Sequence, residues 1–330
     1  MGIRVGLVGA SGHWSFVVGG IDQIDGAEFV AFSPGCDGED MARVAQHKAA
    51  EGAAVFTDYR KMLDQASLDV VGVNPFYYLH TEVAAEALQR GIPVFCEKPL
   101  ALELDLLESL RRVQASSGTP VGMMLNLRYE PMFYTARCLV EQGVIGQPSI
   151  GYGQKAYKLG TRPSFYEKRE TFGGLIPWVG IHAIDWFRWV SGCEFESVYG
   201  IQSNLHAPQY PGMEDNATCL FGLEAGGSAV MSFDFLRPLA ATSHGDDRLR
   251  LVGSDGVIDI RWPDAMEVIT KEGPMDLELK SPPYGVFADF IQSLSNPAHS
   301  CMISTEDAFR VTEISLKARD AADRQEKVEL

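Results

Sequence analysis

A chain of 330 residues exceeds one ordinary domain, and its 46% hydrophobic and 22% charged residues are those of a soluble globular protein with ample core. A net charge of −16 argues against nucleic acid and anionic membrane surfaces as partners, although a local site can still take a phosphorylated ligand. No apolar run approaches the roughly 18 residues of a membrane span. The six cysteines, at 36, 96, 138, 193, 219 and 301, are scattered without metal-type spacing. They read as reduced thiols of a cytoplasmic protein, and no metal site is expected. Met1 to Ala10 is apolar but short, glycine-rich and without a basic start, so it reads as a strand rather than a signal peptide.

In chain order, Ile3–Val8 predicts a first strand, followed by the turn Gly9-Ala10-Ser11-Gly12-His13-Trp14 and a helix from about Ser15 to Ile24. Phe29–Phe32 predicts a second strand, Asp40–Glu51 a helix and Ala54–Phe56 a short third strand. Leu68–Val73 is a buried-strand pattern ending in Asn74-Pro75; the helical segment Thr81–Arg90 stops at Gly91, and Val94–Cys96 is the next strand. A leucine-rich helix over Asp105–Ser116 and a strand over Val121–Met124 follow. Strands and helices alternating at this length predict a doubly wound parallel sheet. The boundary falls near Gly122, giving domains 1–122 and 123–330.

Beyond it, Glu130–Gln142 reads as a helix with Pro131 near its start. The pattern then changes. Ser149–Lys158, Ser197–Asn204, Asn216–Leu223, Gly227–Phe235, Leu249–Val252 and Gly256–Arg261 are strand-like runs separated by turn residues. They predict an α+β domain with a large, mostly antiparallel open sheet, closed by a helix over Glu306–Ala322.

The turn at Gly9 is where a dinucleotide's diphosphate would sit, on backbone N–H groups at a helix N-terminus. Against the G-x-G-x-x-G pattern the chain offers Gly9, Ser11 and Trp14, with Gly12 as a shifted alternative. The acidic residue expected about 20 positions on, for the ribose hydroxyls, is missing. Ser33 ends the second strand and can donate to a ribose hydroxyl or to a 2′-phosphate, while Asp37, Glu39 and Asp40 would repel a phosphate. The choice between NAD and NADP stays open, leaning to NAD.

In a parallel sheet, ligands bind outside the carboxyl ends of the strands. Asn74-Pro75 and Glu97-Lys98-Pro99 both lie at such ends, and a lysine there is placed to exchange a proton with a substrate. As a dipeptide alone, Glu97-Lys98 would read as a surface ion pair. In the second domain, the helix containing Trp178, His182, Asp185 and Trp189 sets these four on one face. His182 and Asp185 are then neighbours, the carboxylate orienting the imidazole as a general base; the alternative is a buried histidine satisfied by its neighbour. No side chain can accept a hydride, so redox chemistry would require a bound nicotinamide.

With the Gly9 turn, Asn74-Pro75, His80, Glu97-Lys98-Pro99, Arg128, Gly173-Gly174 and His182-x-x-Asp185 in order, the chain resembles the Gfo/Idh/MocA family of glucose-fructose oxidoreductase and inositol dehydrogenase relatives. The resemblance runs the full length. It implies an N-terminal Rossmann domain, a C-terminal α/β domain whose open sheet makes homodimers or homotetramers, and NAD(P)-dependent oxidation or reduction of a sugar, cyclitol or related polyol. Gly9, Ser11, Gly12, His13, Trp14, Ser33, Asn74, Pro75, His80, Glu97 and Lys98 become the candidate cofactor set. Lys98 matches the family lysine that hydrogen-bonds the reacting hydroxyl, His182 the acid or base, and Asp185 the aspartate that positions substrate or histidine. Arg128, Tyr157 and Trp178 are further substrate candidates, as are Lys158 and Arg169. The chain departs from the family where many members carry an aspartate four residues before the histidine: here that residue is Trp178, suited to stack on a sugar or to pack in the core. Two other readings remain on the same frame: a glycosidase with tightly held NAD, and a dinucleotide- or sugar-binding protein without turnover.

Overall fold

The structure, a computed structural model, describes residues 2–330; Met1, the start of the apolar N-terminal stretch, lies outside them. The chain divides into two compact units. The first runs to Asn126 and takes in Tyr284–Thr312; the second comprises Leu127–Pro283 and Glu313–Leu330.

The first unit is built from β1 (Ile3–Val8), α1 (Ser15–Gly20), β2 (Ala27–Ser33), α2 (Ala42–Ala45), β3 (Ala54–Val55), α3 (Tyr59–Gln65), β4 (Val70–Val73), α4 (His80–Gln89), β5 (Val94–Cys96), α5 (Leu104–Ser117) and β6 (Val121–Met123). Its strands form one parallel sheet in the order β3-β2-β1-β4-β5-β6. Val5, Leu7, Val70, Val71, Val73 and Val94 have no exposed surface, which is why these strands read as unbroken apolar runs rather than alternating ones. Strand order reverses beside β1, since β2 lies on one side of it and β4 on the other. The carboxyl ends of β1, β2, β4 and β5 therefore surround a switch point, the place where such sheets bind ligands.

Where Asp40–Glu51 predicts one helix, the structure has only α2 and a 3-10 turn at Lys48–Ala50. His47 marks the break, its Nδ1 accepting the Ala49 N–H at 3.2 Å, while Asp40 Oδ1 accepts the Ala42 N–H at 2.8 Å at the start of α2. Such side-chain bonds compete with helix continuation.

The second unit contains α6 (Pro131–Glu141), β7 (Pro148–Tyr157), α7 (Arg169–Phe172), α8 (Ile181–Ser191), β8 (Phe195–Ser203), β9 (Asn216–Leu223), β10 (Ser228–Asp234), β11 (Gly245–Gly253), β12 (Gly256–Trp262), β13 (Ala265–Thr270) and β14 (Gly273–Pro274). After α9 (Val286–Ser295) in the first unit, the long α10 (Thr305–Arg324) gives residues to each unit, and β15 (Val328–Glu329) ends the chain. The nine-stranded sheet runs β14-β13-β12-β11-β7-β10-β9-β8-β15. It is mostly antiparallel as expected, with one parallel pair, β7 with β10. One face packs on α8: Phe187 lies against Gly151, and Phe195 and Phe221 extend the cluster with ring centroids 4.6 Å apart. Helices α3, α7 and α9 and strands β13–β15 add to the elements read from the sequence; β14 and β15 are two-residue edge strands, and β13 has only Val268 buried.

Candidate active site

The turn after β1 is folded against the chain's own backbone. Gly9 has φ of +80°, and a Cβ there would stand 2.3 Å from Pro75 Cα; Gly12 has φ of +62°, and a Cβ there would stand 2.1 Å from Glu97 Oε2. Only glycine fits at either position. The turn's backbone donors are tied to the other strand ends: Gly9 N–H to Ser33 O at 2.8 Å, Ala10 N–H to Glu39 Oε1 at 3.0 Å, Ser11 N–H to Asn74 O at 2.8 Å, and His13 N–H to Glu97 Oε2 at 2.5 Å. Asn74 Nδ2 returns a bond to Ser11 O at 3.2 Å. The sequence candidates Gly9, Ser11, Gly12, His13, Asn74, Pro75 and Glu97 are thus brought together.

Glu97 and Lys98 are both fully buried, so they are no surface pair. His13 Nδ1 lies 2.8 Å from Glu97 Oε2. Burial alone would raise the Glu97 carboxyl, but the charges of His13 and Lys98 and the hydrogen bonds from His13 outweigh it and bring it down to about 2. Glu97 is therefore an ionised carboxylate beside the glycine turn. His80 is fully buried between two carbonyls, with Nδ1 2.7 Å from Pro99 O and Nε2 3.2 Å from Pro75 O, so a neutral ring donates to one of them. Burial lowers its basicity. Ser33 is also fully buried, and its hydroxyl donates to Pro34 O at 3.1 Å. Trp14, 6% exposed, sits under the Arg43 guanidinium, 5.7 Å from its ring centre, with His47 edge-on at 6.0 Å.

In the second unit, Trp178 falls within a π-helical turn, Ile176–Gly180, that leads directly into α8 and His182. Such turns recur at functional sites, and no sequence spacing announces one. The Gly173-Gly174 turn before it is clamped: Arg319 Nη1 donates to Gly173 O at 3.1 Å, while Glu214 accepts the Leu175 N–H at 3.0 Å and pairs with Arg169. His182 and Asp185 are each 2% exposed. The spacing on α8 makes His182 and Asp185 neighbours, and the structure also gives this carboxylate a partner from outside the helix. Arg128 Nε lies 3.0 and 3.1 Å from its two oxygens, and Nη2 makes a further bond. Arg128 is 1% exposed and lies over the Trp189 ring at 5.6 Å. A planar guanidinium fork suits a carboxylate better than one imidazole nitrogen does.

Tyr157 stands at the end of β7 beside a second buried pair that the sequence did not reveal. Lys155 Nζ is 2.5 Å from Asp247 Oδ2 and 4.7 Å from the Tyr157 ring centre, and His244 lies on that ring at 4.9 Å. Burial lowers the Lys155 ammonium, but Tyr157 and Asp247 outweigh it, so it stays charged. Lys158 is held by the Ala241 carbonyl.

The chain as a whole is similar to known proteins. Residues 3–124 match the oxidoreductase family with an NAD-binding Rossmann fold, and residues 133–259 match the GFO/IDH/MocA C-terminal domain. The chain belongs to the Gfo/Idh/MocA family. A solved structure described as an oxidoreductase from Thermotoga maritima is 34% identical, with a TM-score of 0.94, over 99% of this chain and 100% of that one. A D-apiose dehydrogenase from Paraburkholderia graminis is 24% identical over 79% of this chain and 68% of its own length. Inositol 2-dehydrogenase 2 from Saccharopolyspora erythraea is 28% identical over 58% of this chain and 52% of its own. The match to these two relatives thus spans about half to two thirds of their length.

The family's Rossmann fold implies a dinucleotide, and the glycine turn at the switch point fits one. Two obligatory glycines shape the turn, and two carboxylates, Glu39 and Glu97, accept its Ala10 and His13 N–H groups.

Proposed function

We propose that the protein is an NAD(P)-dependent oxidoreductase acting on a sugar, cyclitol or related polyol, with His182 as acid–base group assisted by Lys98. The observation that carries this reading is the fully buried Glu97-Lys98 pair at the carboxyl end of β5, beside the glycine turn. A bound nicotinamide supplies the hydride acceptor that no side chain provides. Glu97, ionised and anchored by His13, sets a negative charge beside Lys98, the donor to the reacting hydroxyl. Asp185, held by the Arg128 fork, is in place to orient substrate or His182. Trp178 brings no carboxylate, which leaves His182 to move the proton. The relatives named for apiose and inositol support the polyol class.

A second copy of the chain is the partner this reading includes, as homodimer or homotetramer. Tyr152, Val230, Leu220 and Tyr199 lie in register across β7, β10, β9 and β8 on the sheet face opposite α8. They are 50, 37, 48 and 37% exposed. An apolar row of this kind favours self-association through the sheet.

The test is a screen of polyols with NAD and NADP, followed by kinetics of His182→Ala and Lys98→Ala. Each substitution should lower turnover by about a hundredfold or more, as loss of an acid–base group does. Turnover near that of the parent would remove the residue from the mechanism.

A further inference from the structure

We propose that Glu39 is the carboxylate that binds the adenosine ribose of the dinucleotide, and that it makes the site selective for NAD over NADP. The inference rests on the dinucleotide reading above and adds the cofactor's identity to it.

A ribose 2′,3′-diol is recognised by a carboxylate near the end of β2, facing the first glycine turn. Position and chemistry part company here. Ser33, the residue that ends β2, is fully buried, and its hydroxyl bonds to Pro34 O. The chain continues through the loop after β2 and brings Glu39 back to the mouth of the site. Its Oε1 accepts the Ala10 N–H at 3.0 Å and the Ser11 hydroxyl at 3.4 Å, and its Oε2 accepts the Gly35 N–H at 2.8 Å. One carboxylate thus bridges the loops that leave β1 and β2, on the side of the switch point where the ribose of a dinucleotide lies.

Two features make this carboxylate a receptor rather than a filler. Glu39 is only 9% exposed, and burying a carboxylate is costly unless donors surround it. A carboxylate has about four lone-pair positions, and the two backbone bonds are short whereas the Ser11 contact is long. A ribose hydroxyl can replace the Ser11 hydroxyl and a second can use the remaining position. Burial raises the Glu39 carboxyl, with the Ala10 and Gly35 N–H groups pulling the other way, so additional donors favour its charged form. A 2′-phosphate would instead bring an anion against Glu39 in a loop that also carries Asp37 and Asp40.

The test is calorimetric titration of the purified protein, freed of any retained nucleotide, with NADH, NADPH, AMP and 2′,5′-ADP, alongside nicotinamide fluorescence. Wild-type protein should prefer NADH to NADPH, and AMP to 2′,5′-ADP, by about a hundredfold. Glu39→Gln and Glu39→Ala should each weaken NADH and AMP by about tenfold or more, without weakening the 2′-phosphorylated ligands. Equal affinity of the wild type for NADH and NADPH, or selectivity that survives loss of the Glu39 carboxylate in a folded variant, would overturn the assignment while leaving the dinucleotide site standing. Even if the variants fail to fold, equal affinities of the wild type would overturn the assignment. Absence of binding by all four ligands would remove the dinucleotide reading and this inference together.

Discussion

Single charges in this protein are held by partners drawn from distant positions, and each can be probed alone. Glu97 has its folded value brought down to about 2 from the usual 4.5, so its ionised form favours the folded state. That contribution is complete above about pH 4.5 and is lost as the pH falls towards 2, with a magnitude on the order of 3 kcal/mol. Urea denaturation across this window should show wild-type stability falling more steeply than that of Glu97→Gln; parallel curves would mean that another group titrates. Arg128 and Asp185 form a nearly waterless pair, 1% and 2% exposed. Removing either partner alone should cost about 3–5 kcal/mol, because the remaining charge stays buried. Replacing both, as in Arg128→Met with Asp185→Leu, should recover much of that loss in the same denaturation assay, and additive losses would count against the pairing.

At the scale of elements, the outer face of the large sheet carries the next expectation. Leu220→Glu in the middle of the Tyr152–Val230–Leu220–Tyr199 row should shift the protein towards monomer in sedimentation velocity, with its circular dichroism unchanged. An oligomer of unchanged size would move the interface elsewhere. The sheets themselves were readable from sequence for a physical reason. Strands buried on both faces, such as Val70–Val73, give continuous apolar runs, and strands buried on one, such as Asn216–Leu223, alternate. Both glycines of the first turn were visible, because only glycine tolerates their φ values and close approaches. Other features depended on what the folded chain brings together. Helical spacing made His182 and Asp185 neighbours, but could not show that an arginine 57 positions before Asp185 would fork its carboxylate. Glu39 lies 30 positions after Gly9, too far for the usual interval, and only the return of its loop carries it to Ala10. A π turn ahead of His182 leaves no trace in the pattern of residue types.

On the scale of the whole molecule, the first unit is assembled from two separated stretches of sequence. Helix α9, which a boundary at Gly122 would assign to the C-terminal domain, belongs to it. Phe287 and Phe290 of α9 meet Phe95 of β5 at 5.1 and 5.6 Å between ring centres, and Phe290 also lies against Gly122 of β6. A further tie joins the same pieces, Thr305 Oγ1 accepting the Val121 N–H at 3.0 Å, while Asp289 holds the Met302 N–H at 2.8 Å within the later stretch.

This discontinuity sets an order of events during synthesis. A ribosome that has released residues 1–126 has delivered every strand of the parallel sheet but none of the helix that covers its phenylalanines. The nascent unit must wait for more than 150 further residues, through the second unit's sheet, before that surface can close. A fragment of residues 1–126 should therefore bind a hydrophobic dye and aggregate, whereas the same fragment joined by a flexible linker to residues 284–312 should remain monomeric in light scattering. Equal behaviour of the two would mean that α9 is dispensable for closing the sheet. In the cell, the waiting interval is when this chain most needs a chaperone.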